Sequence, residues 1–152
     1  MIAKLGNCWY IRQLKTITSM MDKKTTLSTL WIFLTLNFIF CDVFTLMHAD
    51  DLKQLLTGKV GGMEITESFL LTFAILMEIP MAMILISRIT KYKTNRILNI
   101  IAGILLTMIQ GWSLFVGKPT LHYAFFSIIE VSTTIFIAVY AWAWDYKEDL
   151  GN

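Results

Sequence analysis

Apolar runs, each with at most one charged residue, alternate with polar, mostly basic connections four times along this chain. The runs lie near Leu27–Met47, Ser68–Ser87, Ile97–Val116 and Leu121–Trp144. Each reaches the roughly 20 apolar residues that cross a bilayer as a helix. Helix is the required state, because hydrocarbon offers the backbone no hydrogen-bond partner and four strands cannot close a barrel. Small and polar residues recur within each run at three- and four-residue steps. The first carries Asn37, Cys41 and Thr45, with Asp42 beside them, and the second carries Ala74, Glu78 and Ala82. The third carries Asn99, Gly103, Thr107, Gln110, Ser113 and Gly117, and the fourth Ser127, Glu130, Thr134, Ala138 and Ala141. That spacing puts each set on one side of its helix. Small and hydroxyl residues are those through which membrane helices approach closely. The pattern therefore predicts an all-α, antiparallel, up-down four-helix transmembrane bundle with its polar faces turned inward.

The connections add detail. Between the first two runs, Ala49-Asp50-Asp51 reads as a helix start, and Leu52, Leu55 and Leu56 form one apolar edge. Thr57-Gly58 reads as that helix's end and Gly61-Gly62 as a turn. A short helix lying at the membrane interface is expected there. Gly117 and Pro119 mark a tight turn that makes the third and fourth spans antiparallel neighbours. Pro80 is expected to kink the second span beside Glu78. Residues 1–24 read as a basic N-terminal extension, 25–146 as the membrane domain and 147–152 as a short tail. The extension is either a disordered or lipid-lying arm, or a stretch upstream of a true start at Met20 or Met21.

Charge sets the orientation. Lys4, Arg12, Lys15, Lys23, Lys24, Arg88, Lys91, Lys93, Arg96 and Lys147 fall on one side, and Lys53, Lys59 and Lys118 on the other. The excess of basic residues on the first side predicts that both termini are cytoplasmic, in a multi-pass protein of the cell membrane. Trp31, Trp142, Trp144 and Tyr146 are placed at the inner boundary and Tyr123 at the outer one, as an aromatic belt. A composition that is 56% hydrophobic and 16% charged argues against a soluble domain. The lack of a basic stripe interleaved with aromatics argues against nucleic-acid binding. Cys8 and Cys41 cannot build a disulfide framework.

The candidate chemistry lies in the acidic and amide groups within the spans. Glu78 and Glu130 sit in apolar runs that contain no Lys or Arg. An ionised carboxylate at the bilayer centre costs about 2.5–3.5 kcal/mol on insertion scales, so such groups face a protein interior and handle protons or hydrogen-bond there. At the helical rise, Glu78 and Asn37 lie roughly 15 Å from the outer surface, Glu130 roughly 13 Å, Gln110 roughly 10 Å and Asp42 roughly 8 Å. The expectation is one outward-opening, proton-titratable pocket holding Glu78, Glu130, Gln110, Asn37 and Asp42. The alternative is that both glutamates are neutral hydrogen-bond links between helices, at about 0.6 kcal/mol per contact. His48 and His122 with Asp50 and Asp51 match no metal-ligand spacing, so no metal and no cofactor is implied. No nucleophile, base and oxyanion hole assemble, and Cys41 without membrane histidines argues against haem or metal redox chemistry, so the chain is not read as an enzyme.

The segments STLWIFLTLNFIFCDVFTL, LLTGKVGGMEITESFLLTFAILMEIPMAMILISR and NIIAGI resemble an uncharacterised prokaryotic family of four-span membrane proteins that carries a domain-of-unknown-function label. The likeness covers about residues 25–146. It implies a four-helix integral membrane protein and no activity. A glutamate in the second span is more distantly similar to the DoxX-like membrane proteins. Two functions remain. One is a small transporter-like protein working through Glu78 and Glu130, as a homodimer. The other is a structural or accessory subunit of a membrane complex. The partners expected are the lipid bilayer and a second copy or another membrane protein, with no nucleic acid.

Overall fold

The computed structural model describes the backbone of residues 2–115 and 119–144, and the side chains of residues 23–115 and 119–144. The helix α1 spans Ile2–Met47, α2 Ala49–Leu56, α3 Glu67–Ile89, α4 Tyr92–Ser113 and α5 Leu121–Trp142, with short strands β1 at Lys59–Val60 and β2 at Met63–Glu64. Four segments are long and apolar enough to cross a membrane: Lys23–Met47, Glu67–Ile89, Tyr92–Ser113 and Leu121–Trp142. This is the expected all-α bundle. The backbone of the basic extension is helical from Ile2 and runs without a break into the first span. Residues 116–118, with Gly117 of the predicted turn, and residues 145–152, with Tyr146 and Lys147, lie outside the described residues.

The spans run up and down. At one end lie α2 and the β1–β2 hairpin, here called the hairpin end; the other is the termini end. His48 begins α2, and the acidic Asp50 and Asp51 in its first turn complement the positive end of the helix dipole. Asp50 also pairs with Lys53 at 3.5 Å. Beyond the Thr57 cap, Gly58 takes φ +73, which ends the helix in a conformation that costs glycine least. Gly61 and Gly62 then take φ +53 and +84, the two positive values that a two-residue hairpin turn of primed type requires. This closes the antiparallel pairs Lys59↔Glu64 and Val60↔Met63. The glycine pair was legible as a turn, whereas the strands it joins, two residues each, are too short to leave a periodic signal.

Packing is uneven. The pair α4–α5 and the pair α1–α3 are the most intimate, α1 also meets α5, and α3 touches α4 less. The predicted α4–α5 neighbours are thus observed. Gly103 is why they come so close: a Cβ there would lie 3.0 Å from the Thr134 carbonyl oxygen and 3.1 Å from the Ala138 Cβ. The buried apolar core is centred on α1, with Leu27, Trp31 and Leu34 fully covered, joined by Met83, Leu106 and Ile137.

Two expectations are corrected here. Trp31 and Trp144 do not belong to an exposed aromatic belt; both are buried, and Trp142 alone of the three is exposed. Also, α4 begins at Tyr92, five residues before the predicted start. Its first turns carry Tyr92, Asn95 and Arg96, which lower the apolar average although Tyr92 and Asn95 point into the bundle.

Replacing Gly103 with Leu is expected to destabilise the bundle by about 1–3 kcal/mol through overpacking, and Gly103→Ala by less. Reversible unfolding in detergent or bilayers measures both, and a Leu variant as stable as the parent would contradict the close α4–α5 contact.

Candidate functional site

Polar side chains within the spans gather in two layers. The layer at the termini end centres on Asn99, fully buried on α4. Its Oδ1 accepts from Trp31 Nε1 at 2.6 Å and from Ser87 Oγ at 3.3 Å. Its Nδ2 donates to the Asn95 Oδ1 at 2.6 Å and to the Asn95 carbonyl. Asn95 Nδ2 donates in turn to the Ser87 carbonyl at 2.6 Å. Nearby, Ser28 Oγ donates to the Ile84 carbonyl and accepts from Arg88 Nε. Lys24 Nζ donates to the Thr90 carbonyl, tying the two-residue α3–α4 connection to α1. Tyr92 Oη and Arg96 Nη2 donate to the carbonyls of Trp144 and Trp142 at the end of α5. This layer joins all four spans; its Asn, Ser and Trp members satisfy one another, and Arg96 Nε at its edge is buried without a partner.

The sequence pattern pointed elsewhere. Asn95 and Asn99, four residues apart, are the signal that was available. Ser87 and Trp31 read only as a span end and a boundary aromatic.

The second layer lies toward the hairpin end, between α1, α4 and α5. Glu130 is fully buried. Its Oε2 accepts from Gln110 Nε2 at 2.5 Å, and the same amide reaches Ser127 Oγ at 3.0 Å. Its Oε1 is buried and has no hydrogen-bond partner. Ser113 Oγ donates to the Gln110 carbonyl and accepts from Tyr123 Oη at 2.7 Å. A line of polar groups therefore runs from Tyr123, in the first turn of α5, down to Glu130, about 10 Å deeper by helical rise. Cys41 is buried beside this layer, and Asp42 and Glu130 both lie within electrostatic reach of it and of each other. One turn of α4 deeper, Thr107 Oγ1 bridges to Thr134 Oγ1 at 2.8 Å.

Of the five residues expected in one pocket, the structure brings Glu130 and Gln110 into contact. Asp42 stands near them, on an exposed position of α1. Asn37 faces inward but its Nδ2 is spent on the Phe33 carbonyl of its own helix. Glu78 is not part of the layer, which corrects the expectation of a shared acidic pair. The buried face of α3 is Pro80, Met83 and Ser87. At 100° per residue, Glu78 lies close to opposite that face, and it is exposed. The inward rule holds for α4 and α5 and fails for α3, where the only strongly polar group of the mid-span points away.

At the hairpin end, His48 Nδ1 contacts Asp51 Oδ2 at 3.0 Å, and the His48 and His122 rings lie 5.7 Å apart. Among the described residues, no group of three or more His, Cys, Asp or Glu side chains converges as a metal site.

Asn99→Leu is expected to cost about 1–3 kcal/mol, because it strands the Trp31 indole N–H and the Ser87 and Asn95 groups in a buried setting. Loss of the buried-Trp31 fluorescence signature together with the stability change checks this. Unchanged stability would mean that the layer is not a cohesive element.

No curated protein and no solved structure matches the chain, so the likeness to DoxX-like proteins gains no support from these comparisons. A family model matches residues 14–151, which take in all four spans and both polar layers. The chain belongs to that family, DUF6326, a family of unknown function.

Proposed function

We propose that this integral membrane protein is transporter-like and that its working group is the carboxyl of Glu130, in the hairpin-end layer. The observation that carries the reading is the asymmetry of that carboxyl. One oxygen is held by Gln110 while the other is buried without a partner. A carboxylate in such a place is costly, and the neutral acid costs far less. The open oxygen suits a proton, or a cationic or hydrogen-bond-donating ligand. The line from Tyr123 through Ser113 and Gln110 supports access from the hairpin end. With the basic residues on the other side, the hairpin end faces outward and both termini are cytoplasmic, in a prokaryotic cell membrane. No catalytic activity is assigned.

A second reading, an accessory subunit with no transport of its own, is favoured by Glu78, which faces away from the bundle. The two readings separate on one substitution. Glu130→Gln keeps the shape and a hydrogen-bonding amide but cannot bind and release a proton. In proteoliposomes with an internal pH dye, the parent is expected to move protons down an imposed gradient, and Glu130→Gln to lose that flux. Infrared difference spectra across a pH titration should show a carboxyl band that the Gln variant lacks. Equal proton flux in parent and variant, or no flux from either, would sink the transporter reading.

A further inference from the structure

The structure leaves Glu78 with nothing to bond. It is the central residue of α3, 11 positions from Glu67 and 11 from Ile89, and so about 16 Å from either end of the span. No hydrogen bond or ion pair engages it among the described residues, and its side chain is exposed. A glutamate side chain is too short to reach a headgroup from that depth, and lipid chains offer no donor or acceptor. The remedy must come from another protein helix at the same depth. The surface around it suits one. Ala74 and Ala82 stand one turn above and below Glu78 on the same side of α3, so a second helix backbone can approach there. Among the described residues the helix is also the least enclosed of the four spans, packing chiefly against α1 and, less, α4.

We propose that the Ala74–Glu78–Ala82 face of α3 is a self-association surface on which a second copy of this chain docks, α3 against α3, with the two Glu78 carboxyls paired. Three features favour a second copy over a different protein. Two copies inserted with the same topology are related by a two-fold axis along the membrane normal, which brings each residue opposite itself at its own depth. A neutral carboxyl is both donor and acceptor, so two of them satisfy each other through two reciprocal O–H···O bonds with no third group. The face carries no second charge that would need a complementary partner, since Leu71, Ile75 and Leu85 complete it. The surface is separate from Glu130, so its failure would leave the transporter reading standing.

The test uses the full chain, labelled with one fluorophore and reconstituted in phosphatidylcholine–phosphatidylglycerol vesicles over a range of protein-to-lipid ratios. Subunits are counted by single-molecule photobleaching. The parent should dimerise on concentration. Glu78→Leu should raise the dissociation midpoint about tenfold or more, the equivalent of losing two membrane hydrogen bonds. Glu78→Gln should stay near the parent, because an amide also pairs with itself. A second measurement does not depend on these variants. In a chain with Cys8→Ala and Cys41→Ala, Ala74→Cys and Ala82→Cys should cross-link into dimers under mild oxidation, while Ile128→Cys, on the bare face of α5, should not. Monomers at every dilution would overturn the proposal. So would a Glu78→Leu midpoint equal to the parent's, equal cross-linking from Ile128→Cys, or cross-links in native membranes that capture only a different protein.

Discussion

Hydrocarbon cannot hydrogen-bond, and that constraint organises this molecule. A helix satisfies nearly all of its backbone polar groups internally, which is why the described membrane-crossing segments are helical. Side chains meet the same demand in several ways. Hydroxyls such as Thr35, Thr45 and Thr72 donate to the carbonyl four residues back, which needs no neighbouring helix. Longer polar groups must reach across, and where they do, helices are joined. Among the groups left over are Glu130 Oε1 and Glu78, and the functional proposals rest on them.

The two polar layers differ in what they leave unpaired: Arg96 Nε at the edge of the first, and a carboxyl oxygen of Glu130 in the second. At the termini end, Asn99 engages Trp31, Ser87 and Asn95, and Tyr92, Arg96 and Lys24 hold the helix ends and connections. A membrane hydrogen bond contributes about 0.6 kcal/mol on average, so this layer is worth a few such bonds together and specifies which helices meet. At the hairpin end, the network stops one bond short at a carboxyl oxygen. An incomplete buried network destabilises a structural element. It is what a binding group requires, because a fully satisfied carboxyl has no capacity to take up a proton or ligand.

Glycine and alanine set the distances over which these contacts act. At Gly103 the absence of a side chain lets the α5 backbone come within van der Waals range of α4, which brings Thr107 to Thr134 and Gln110 to Glu130 further along the same seam. On α3 the comparable small residues lie on the bare side, around Glu78. One chemical vocabulary, small residues framing a polar group, thus serves an interface inside the bundle and a second on its outside.

Element identity was largely legible in the sequence, and so was one seam. Run length and the scarcity of charge determined four spanning helices; Asp50, Gly58 and the Gly61-Gly62 pair determined the short helix and the turn that follows it. The polar stripes of α4 and α5 determined the contact between Gln110 and Glu130, because both stripes are long and continuous enough that only one face of each helix can be buried. The direction of the α3 stripe was decided by tertiary structure alone. Helical periodicity tells which residues share a face but not which face a neighbour covers, and among the described residues α3 packs chiefly against α1 and α4, on the side of Pro80, Met83 and Ser87. Likewise, Trp31 reads as a boundary aromatic in one dimension and becomes a buried donor only when Asn99 of another helix is brought opposite it. Such pairings between spans far apart in sequence depend on rotation and offset, which no single helix encodes.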